Sequence, residues 1–294
     1  MPDLFGLAVS PYDLKPWQDA TGILPDFCMT FEAWSKYRPL TDMLAKARSF
    51  GHNWFALTWE PWTPIPIGTP SAEQGELQEQ WSHDAILGGK HDDYIDTVAR
   101  NLRDSGMVVY LRLMHEMNGN WYPWHNEPAQ FVDVWKYIRY RMRSCRGAWN
   151  VKFVWSPNPD IWRQSPADWA QRLLPYWPGP KAVEYVGFTM LSFGNDRAYT
   201  VADFAGRFEL ARTLFQKEIL AMEMNVAHEM APAWLHDLTK YVRSGNNLLP
   251  AVVLSQGPSR AAATGDTGTM DWNAMDDTTC RPAIRELVAA LHGD

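Results

Sequence analysis

Three glutamates directly follow or end short apolar runs that have the composition of β-strands. Glu60 lies in TWEPW, Glu116 in LMHEMNG and Glu223 in LAMEMNV. Burying a carboxylate among Ala, Leu and Met is costly, so one found there usually has a partner or a chemical role. A facing pair of carboxylates can act as acid/base and nucleophile on an acetal, as glycosidic bond hydrolysis requires. We therefore expect Glu116 and Glu223 to be catalytic and Glu60 to bind substrate. The alternative is that each pairs with a nearby arginine such as Arg112.

The segment LRLMHEMNGNWYPW, residues 111–124, places three large aromatic rings just beyond one of these glutamates. Its Asn-Gly pair favours a sharp turn. A tryptophan covers the C–H face of a sugar while its N–H bonds a hydroxyl, which makes it suited to carbohydrate binding. We expect Asn118 and Trp121 to be substrate-binding residues. For Tyr122 and Trp124 the alternative is a cluster that buries the loop.

Tryptophan is frequent throughout the chain, with 16 copies beside 11 tyrosines and 12 phenylalanines. Trp59 and Trp155 lie near the ends of apolar runs, and Trp272 follows the last such run. Each is a candidate platform for a further sugar unit. Packing in the core accounts for these rings equally well.

The elements that must position these side chains are eight short β-rich runs. Most are almost continuously apolar, which is typical of strands covered on both faces. The runs are residues 4–10, 26–31, 53–59, 107–115, 151–156, 184–191, 218–224 and 250–256.

Stretches with helical spacing separate most of these runs, although the segment between the first two shows little helical pattern. The clearest predicted helices end at glycines and cover residues 92–106, 131–147, 231–245 and 281–293. Alternating strands and helices predict an α/β fold, a single (β/α)8 TIM barrel over residues 1–294. Its functional residues should lie at the C-terminal ends of the strands. A doubly wound open sheet is disfavoured because no GxGxxG or GxxxxGK[ST] turn follows a strand.

The charge balance excludes some classes of partner. Lys and Arg total 27 against 34 Asp and Glu, a formal net charge of −7, which argues against nucleic acid or an anionic membrane. We expect a polysaccharide or oligosaccharide substrate and a monomer. The three cysteines lie far apart and form no disulfide framework. The first residues lack the pattern of a secretory signal, and no apolar run is long enough to span a bilayer, so the compartment stays open.

We expect no cofactor and no catalytic metal. HEMNG and HEMAP both lack the second histidine that HExxH requires. A nucleophilic serine is also disfavoured, because no GxSxG elbow is present.

The motifs together resemble glycoside hydrolase family 26, whose known members are mainly β-mannanases, with a few acting on mixed-linkage β-glucan or β-1,3-xylan. RLMHEMNGNWYPW carries the strongest similarity, and TWEPW, GGKHDDYI, WSPNP and LAMEMN extend it over most of the chain. The resemblance implies a (β/α)8 barrel and a retaining double displacement. By position, Glu116 would be the general acid/base and Glu223 the nucleophile, while His115 and Trp121 would contact the sugar.

An acid/base carboxyl benefits from apolar, aromatic surroundings, whereas the nucleophile needs hydrogen-bond donors that keep it ionised. Arg112 and Tyr185 are our candidates for those donors. Two positions depart from the family pattern: Glu60 stands where a histidine is typical, and Met190 or Phe193 stands where a tyrosine often supports the nucleophile. These departures weaken the case for mannan and make β-1,4-glucan or mixed-linkage glucan a close second.

Three other functions stay open. One is a carbohydrate-binding barrel without turnover, which would bind polysaccharide and release no reducing ends. Another is a hydrolase of a bacterial exopolysaccharide. The third is a metal-dependent barrel hydrolase, which would be distinguished by loss of activity with a chelator.

Overall fold

The computed structural model describes residues 3–65, 76–125, 127–160, 165–193, 198–244, 251–255 and 280–293, with the backbone of 258–260 and 269–271. Eight strands pair in chain order and close into a barrel, and the neighbouring pairs run parallel. The predicted α/β barrel is therefore confirmed, and each predicted run overlaps one strand. The strands are β1 (Leu4–Ala8), β2 (Phe27–Ala33), β3 (Trp54–Glu60), β4 (Val108–Leu113), β5 (Val151–Trp155), β6 (Tyr185–Ser192), β7 (Ile219–Val226) and β8 (Ala251–Ser255).

Helices follow most of the strands, and two short strands, β9 (Pro258–Arg260) and β10 (Thr269–Asp271), pair antiparallel after β8. None of the helices in the described residues is both long and apolar enough to cross a bilayer. The helices are α1 (Leu14–Thr21), α2 (Thr41–Ser49), α3 (His83–Leu87), α4 (Asp92–Asp104), α5 (Pro128–Tyr140), α6 (Pro166–Leu173), α7 (Val201–Phe215), α8 (Ala231–Arg243) and α9 (Cys280–His292).

The expectation of little helix between the first two strands is wrong, because α1 lies there. It buries Leu14, Trp17 and Thr21 at helical spacing and ends at Gly22, whose φ of 72° is left-handed. The helix has only 8 residues, so its apolar stripe is too short to stand out in the sequence.

The Cα positions cluster into two compact units. The first comprises Met1–Met29, Pro159–Ala170 and Val186–Asp294, and the second comprises Thr30–Asn158 and Gln171–Tyr185. A single domain over residues 1–294 stays a prediction.

The strands are apolar because they are covered on both faces. In β4, Val109, Tyr110, Leu111 and Leu113 are fully buried. In the first unit β1 has a glycine where it meets β2: a Cβ at Gly6 would overlap the Phe27 ring, at 2.6 Å from its Cε2 atom. Only glycine lets that ring cover β1 at this point.

Buried ion pairs brace the helices α4 and α5 in the second unit. Asp96 of α4 is 3% exposed and bonds Arg141 at 2.7 Å and also Arg146. Both arginines lie at or beyond the end of α5, where residues Arg141–Cys145 form a turn of π-helix. The predicted helix over 131–147 is therefore an α-helix followed by a widened turn.

Candidate active site

The backbone beyond β4 is held in an uncommon conformation. Met114 and Glu116 have left-handed φ values of 45° and 55°. Such a φ costs a non-glycine residue about 1–3 kcal/mol and persists only where the surroundings enforce it. Here the Glu116 N–H donates to the Ser156 carbonyl at 2.7 Å, and the Gly119 N–H donates to the Glu116 carbonyl at 2.9 Å. The strand therefore ends at Leu113 and the turn sets the direction of the Glu116 side chain.

The Glu116 carboxylate has two uncharged hydrogen-bond donors. Its Oε1 accepts from Asn158 Nδ2 at 3.0 Å, and its Oε2 accepts from Trp121 Nε1 at 2.8 Å. Glu116 is only 8% exposed. One donor comes from its own loop and the other from the segment after β5, so each oxygen is held separately.

Gly119 is required for the position of Trp121. A Cβ at Gly119 would lie 2.5 Å from the indole atoms Cε2 and Cη2 of Trp121, well inside van der Waals contact. The ring therefore lies directly against the glycine backbone. This close approach allows the indole N–H to reach Glu116, and Trp121 itself stays half-buried.

The turn after β4 is joined to the segment after β5 by an amide–backbone clasp. Asn118 Nδ2 donates to the Asn158 carbonyl at 2.9 Å, and the Asn158 N–H donates to Asn118 Oδ1 at 2.8 Å. Arg172 adds a bond from Nη2 to the Asn118 carbonyl at 3.1 Å. Asn118, predicted to bind substrate, is 6% exposed and holds the loop in place.

His115 lies beside Glu116 as a buried, neutral imidazole. Burial, with a smaller effect of the Arg112 charge, holds the pKa of His115 well below 6.5. Its Nε2 bonds the Tyr122 hydroxyl at 3.1 Å, and its carbonyl accepts from Trp124 Nε1 at 2.8 Å. Its Nδ1 is 3.8 Å from Glu60 Oε1, which is too long for a hydrogen bond. Because the imidazole is neutral, this contact is not an ion pair.

Aromatic rings surround this histidine. Tyr122 and Trp124 stack at 4.4 Å, Trp62 meets Tyr122 edge-on at 5.2 Å, and Phe31 meets His115 edge-on at 6.2 Å. Trp124 is 2% exposed, as the loop-burying alternative predicted, whereas Phe31 is 36% exposed. Phe31 is not among the residues predicted from the sequence; its one signal there is that it is an aromatic residue at the end of the second apolar run.

Glu60 and Arg112 are both buried in the second unit. Glu60, at 6% exposure, ends β3, and its Oε2 accepts from Trp62 Nε1 at 3.3 Å. Arg112 is fully buried within β4 and donates from Nε to Ser156 Oγ at 2.9 Å. Arg112 therefore ties β4 to the segment after β5 and has no area exposed for a substrate.

In the first unit, Glu223 stands at a register shift of β7. Its partner across β6 is Thr189, although the preceding pair is Phe188 with Ala221, so β7 has one extra residue here. The pairing with β8 shifts over the same stretch. A bulge of this kind turns a side chain away from the regular alternation. Glu223 is half-buried, while Met222 and Met224 on either side are fully buried.

Several predicted binding residues lie elsewhere. Trp59 is fully buried against Trp34 at 4.5 Å, and Trp155 is fully buried with its N–H bonded to a backbone carbonyl. Neither ring has a face exposed to a sugar, so both predictions are wrong. Tyr185 is the first residue of β6, at the amino end of the strand. Barrel enzymes draw functional groups from the opposite end, and the role of Tyr185 as a hydrogen-bond donor to the nucleophile stays a prediction. Trp272 lies outside the described residues.

No group of three or more His, Cys, Asp or Glu side chains in the described part of the chain is arranged to hold a metal ion. The groups brought together in the second unit are instead Glu116, His115, Asn118, Trp121 and Glu60.

A family model described as Glycosyl hydrolase family 26 matches residues 79–234, more than half of the chain. The chain belongs to this family. The match includes both Glu116 and Glu223 and confirms the resemblance drawn from the sequence motifs.

Curated relatives of this family member include enzymes with different named substrates. Endoglucanase H of Acetivibrio thermocellus is 26% identical over 205 residues, covering 66% of this chain and 20% of that protein. Mannan endo-1,4-beta-mannosidase A of a Piromyces species is 28% identical over 101 residues, covering 34% and 16%. The matched region spans about a fifth of the length of these relatives.

Solved structures of the family share the fold. A GH26 β-mannanase from Bacteroides ovatus superposes with a TM-score of 0.67 at 14% identity, covering 100% of this chain and 91% of that one. A modular endo-β-1,4-mannanase from Cellulomonas fimi gives 0.65 at 16% identity, covering 98% and 70%. At such identities the likeness shows the fold alone.

Proposed function

We propose that this family 26 member is a retaining endo-β-glycosidase that hydrolyses a β-linked hexose polysaccharide. β-1,4-mannan is the first candidate substrate, and β-1,4-glucan or mixed-linkage glucan is the second. The observation that carries the proposal is the Glu116 carboxylate, held by Trp121 and Asn158 just past the end of β4. That is where barrel enzymes place catalytic groups.

In the proposed mechanism the two glutamates divide the work. Glu223 attacks the anomeric carbon while Glu116 gives its proton to the departing glycosidic oxygen, which breaks the C–O bond and forms a glycosyl ester on Glu223. Glu116, now ionised, takes a proton from water, and that water oxygen displaces Glu223 from the anomeric carbon. Two inversions return the original anomer. This mechanism requires carboxyl groups about 5–5.5 Å apart.

The second unit supplies groups suited to hold a sugar beside Glu116. Trp121 and Phe31 are half-buried or partly exposed rings that can cover an apolar sugar face. The neutral imidazole of His115 can bond a substrate hydroxyl through Nδ1, because its Nε2 already bonds the Tyr122 hydroxyl. Glu60 adds a carboxylate that accepts from sugar hydroxyls.

Glu60 also bears on the choice of polysaccharide. The two oxygens of a carboxylate can accept from two adjacent hydroxyls, so Glu60 can discriminate between sugars that orient those hydroxyls differently. The relatives' printed activities, an endoglucanase and mannan endo-1,4-β-mannosidases, favour testing glucans and mannans together.

The test is release of reducing ends by the purified protein from galactomannan, lichenan, carboxymethyl cellulose and β-1,3-xylan. Viscosity followed in parallel separates endo from exo action, since endo cleavage lowers viscosity well before reducing ends accumulate. Proton NMR of the first product distinguishes retention from inversion. We expect release from one polymer with retention of the β-anomer.

Matched variants connect the activity to the proposed residues. Glu223→Ala and Glu116→Ala should abolish release or reduce it by orders of magnitude. Glu218→Ala should not, because this exposed glutamate directly precedes β7, at the amino end of the strand. Equal activity in Glu223→Ala would refute its assignment. Polymer binding without release would indicate a binding barrel, and no release from these four would direct the search to an exopolysaccharide.

A further inference from the structure

Asn158 has two separable sets of contacts. Its backbone N–H and carbonyl are both taken by the Asn118 side chain, at 2.8 and 2.9 Å. Its side-chain amide donates to Glu116 Oε1 at 3.0 Å. Asn158 is 6% exposed. The clasp therefore fixes where Asn158 lies, and the amide then reaches the carboxyl on the neighbouring loop.

The chemistry of the donor fits an acid/base. Such a carboxyl alternates between protonated and ionised forms during each turnover. A cation at this place would favour the ionised form, but a neutral amide N–H can donate to Oε1 in both forms, since the carbonyl oxygen of a carboxylic acid still accepts. Trp121 holds Oε2 in the same uncharged way. Oε1 and Oε2 therefore keep distinct partners throughout the cycle.

We propose that Asn158 is a positioning residue that orients the Glu116 carboxyl for proton transfer. A residue of the segment after β5 thereby determines the orientation of the acid/base that follows β4. The proposal rests on the proposed function for its catalytic consequence. Its structural part, that the amide holds the rotamer of Glu116, stands independently. The backbone clasp means that changing the Asn158 side chain leaves the loop anchored.

Kinetics of Asn158→Ala and Asn158→Asp test the catalytic consequence, with two kinds of substrate. The polymer has a poor leaving group and needs the acid, whereas a 2,4-dinitrophenyl glycoside of the same sugar leaves without it. We expect polymer kcat to fall roughly tenfold to a hundredfold, the effect of a small misplacement at a reacting centre. The first turnover on the dinitrophenyl glycoside should stay within about twofold.

Adding azide to the assay gives a second measurement, which would not change if Asn158 had a purely structural role. It attacks the glycosyl ester without base assistance, so azide should raise steady-state turnover of both variants on the dinitrophenyl glycoside and leave the wild type unchanged. Equal losses on both substrates, or wild-type polymer activity in both variants, would overturn the proposal. Melting temperature checks folding, and Asn158→Asp is the isosteric variant if Asn158→Ala folds poorly.

A crystal structure of Asn158→Ala separates this proposal from the proposed function. In this variant we expect the Glu116 side chain to adopt another rotamer or to lose its hydrogen bond to Trp121. An unchanged Glu116 would overturn the positioning role even if the wild type cleaves no tested polymer. If the wild type is inactive and Glu116 still rotates, the proposed function fails and the positioning role survives.

Discussion

Substituting Gly119 tests whether the position of Trp121 controls Glu116. The backbone of Gly119 does not have a left-handed φ, so alanine is allowed there and only the indole ring opposes its methyl group. The Cβ would lie 2.5 Å from the ring atoms Cε2 and Cη2. Restoring a contact of about 3.5 Å moves the ring by about 1 Å. The Trp121–Glu116 bond, now 2.8 Å, then exceeds hydrogen-bond length.

The expected loss follows from that bond. A hydrogen bond to a charged group contributes about 1.5–3 kcal/mol, and about 1.4 kcal/mol is a factor of ten, so kcat/KM on the polymer should fall roughly tenfold to a hundredfold. The assay is initial rates of reducing-end release, with the melting temperature measured beside them. Gly206→Ala is the matched control: the glycine lies in α7 with nothing within 4 Å of its added Cβ. It should keep full activity and gain up to about 1 kcal/mol of stability.

Trp121→Phe, which removes the donor N–H, completes a double-mutant cycle. If Gly119→Ala acts through the Trp121 bond, the double variant should lose no more activity than either single variant. Additive losses, or full kcat/KM in Gly119→Ala, would refute the link from glycine to indole to carboxyl.

Three further predictions concern other parts of the second unit. Phe31→Ala should raise KM severalfold and leave kcat nearly unchanged, since it removes a ring face and no reacting group, as kinetics on short oligosaccharides would show. Asp96→Ala should cost about 1.5–3 kcal/mol of stability in denaturant unfolding, because it removes the hydrogen bonds of a buried carboxylate to Arg146 and Arg141, while Arg141 keeps its ion pair with Asp92. Burial raises the pKa of Asp96, but its bonds to the two arginines have the larger effect and hold that pKa below 3.8. The stabilisation by these bonds is therefore present above pH 3.8 and is lost as the pH falls through the lowered pKa. His115→Gln should flatten the pH dependence of stability. Below about pH 6.5 the unfolded state of the wild type gains a proton on His115, while the folded imidazole stays neutral. The wild type therefore loses up to about 1.4 kcal/mol of stability for each pH unit below about 6.5.

Each of these has a plain contradicting result. A lower kcat at unchanged KM in Phe31→Ala would place that ring in the chemistry. A loss below about 0.5 kcal/mol in Asp96→Ala would make the ion pairs no better than surface pairs. Parallel stability curves for His115→Gln and wild type between pH 6.5 and 5 would show that His115 titrates alike in both states.

The sequence by itself determined the barrel and the strand-end glutamates. Strands covered on both faces must be apolar along their length, so their positions can be recognised without knowing their neighbours. Once β4 and β7 are located, Glu116 and Glu223 follow, because local chain order places each at or near the carboxyl end of its strand. The family motif around HEMNG is equally local.

Tertiary structure alone decided which residues contact those glutamates and how deeply each aromatic ring is buried. Asn158 is 42 residues from Glu116 along the chain, and no local pattern relates them. The bulge at Glu223 exists only through pairing with β6 and β8. Trp59 and Trp121 look alike in sequence, yet one is fully buried and the other half-buried against Gly119. Composition shows that a ring is apolar, but which of its faces is covered depends on side chains brought from distant parts of the chain.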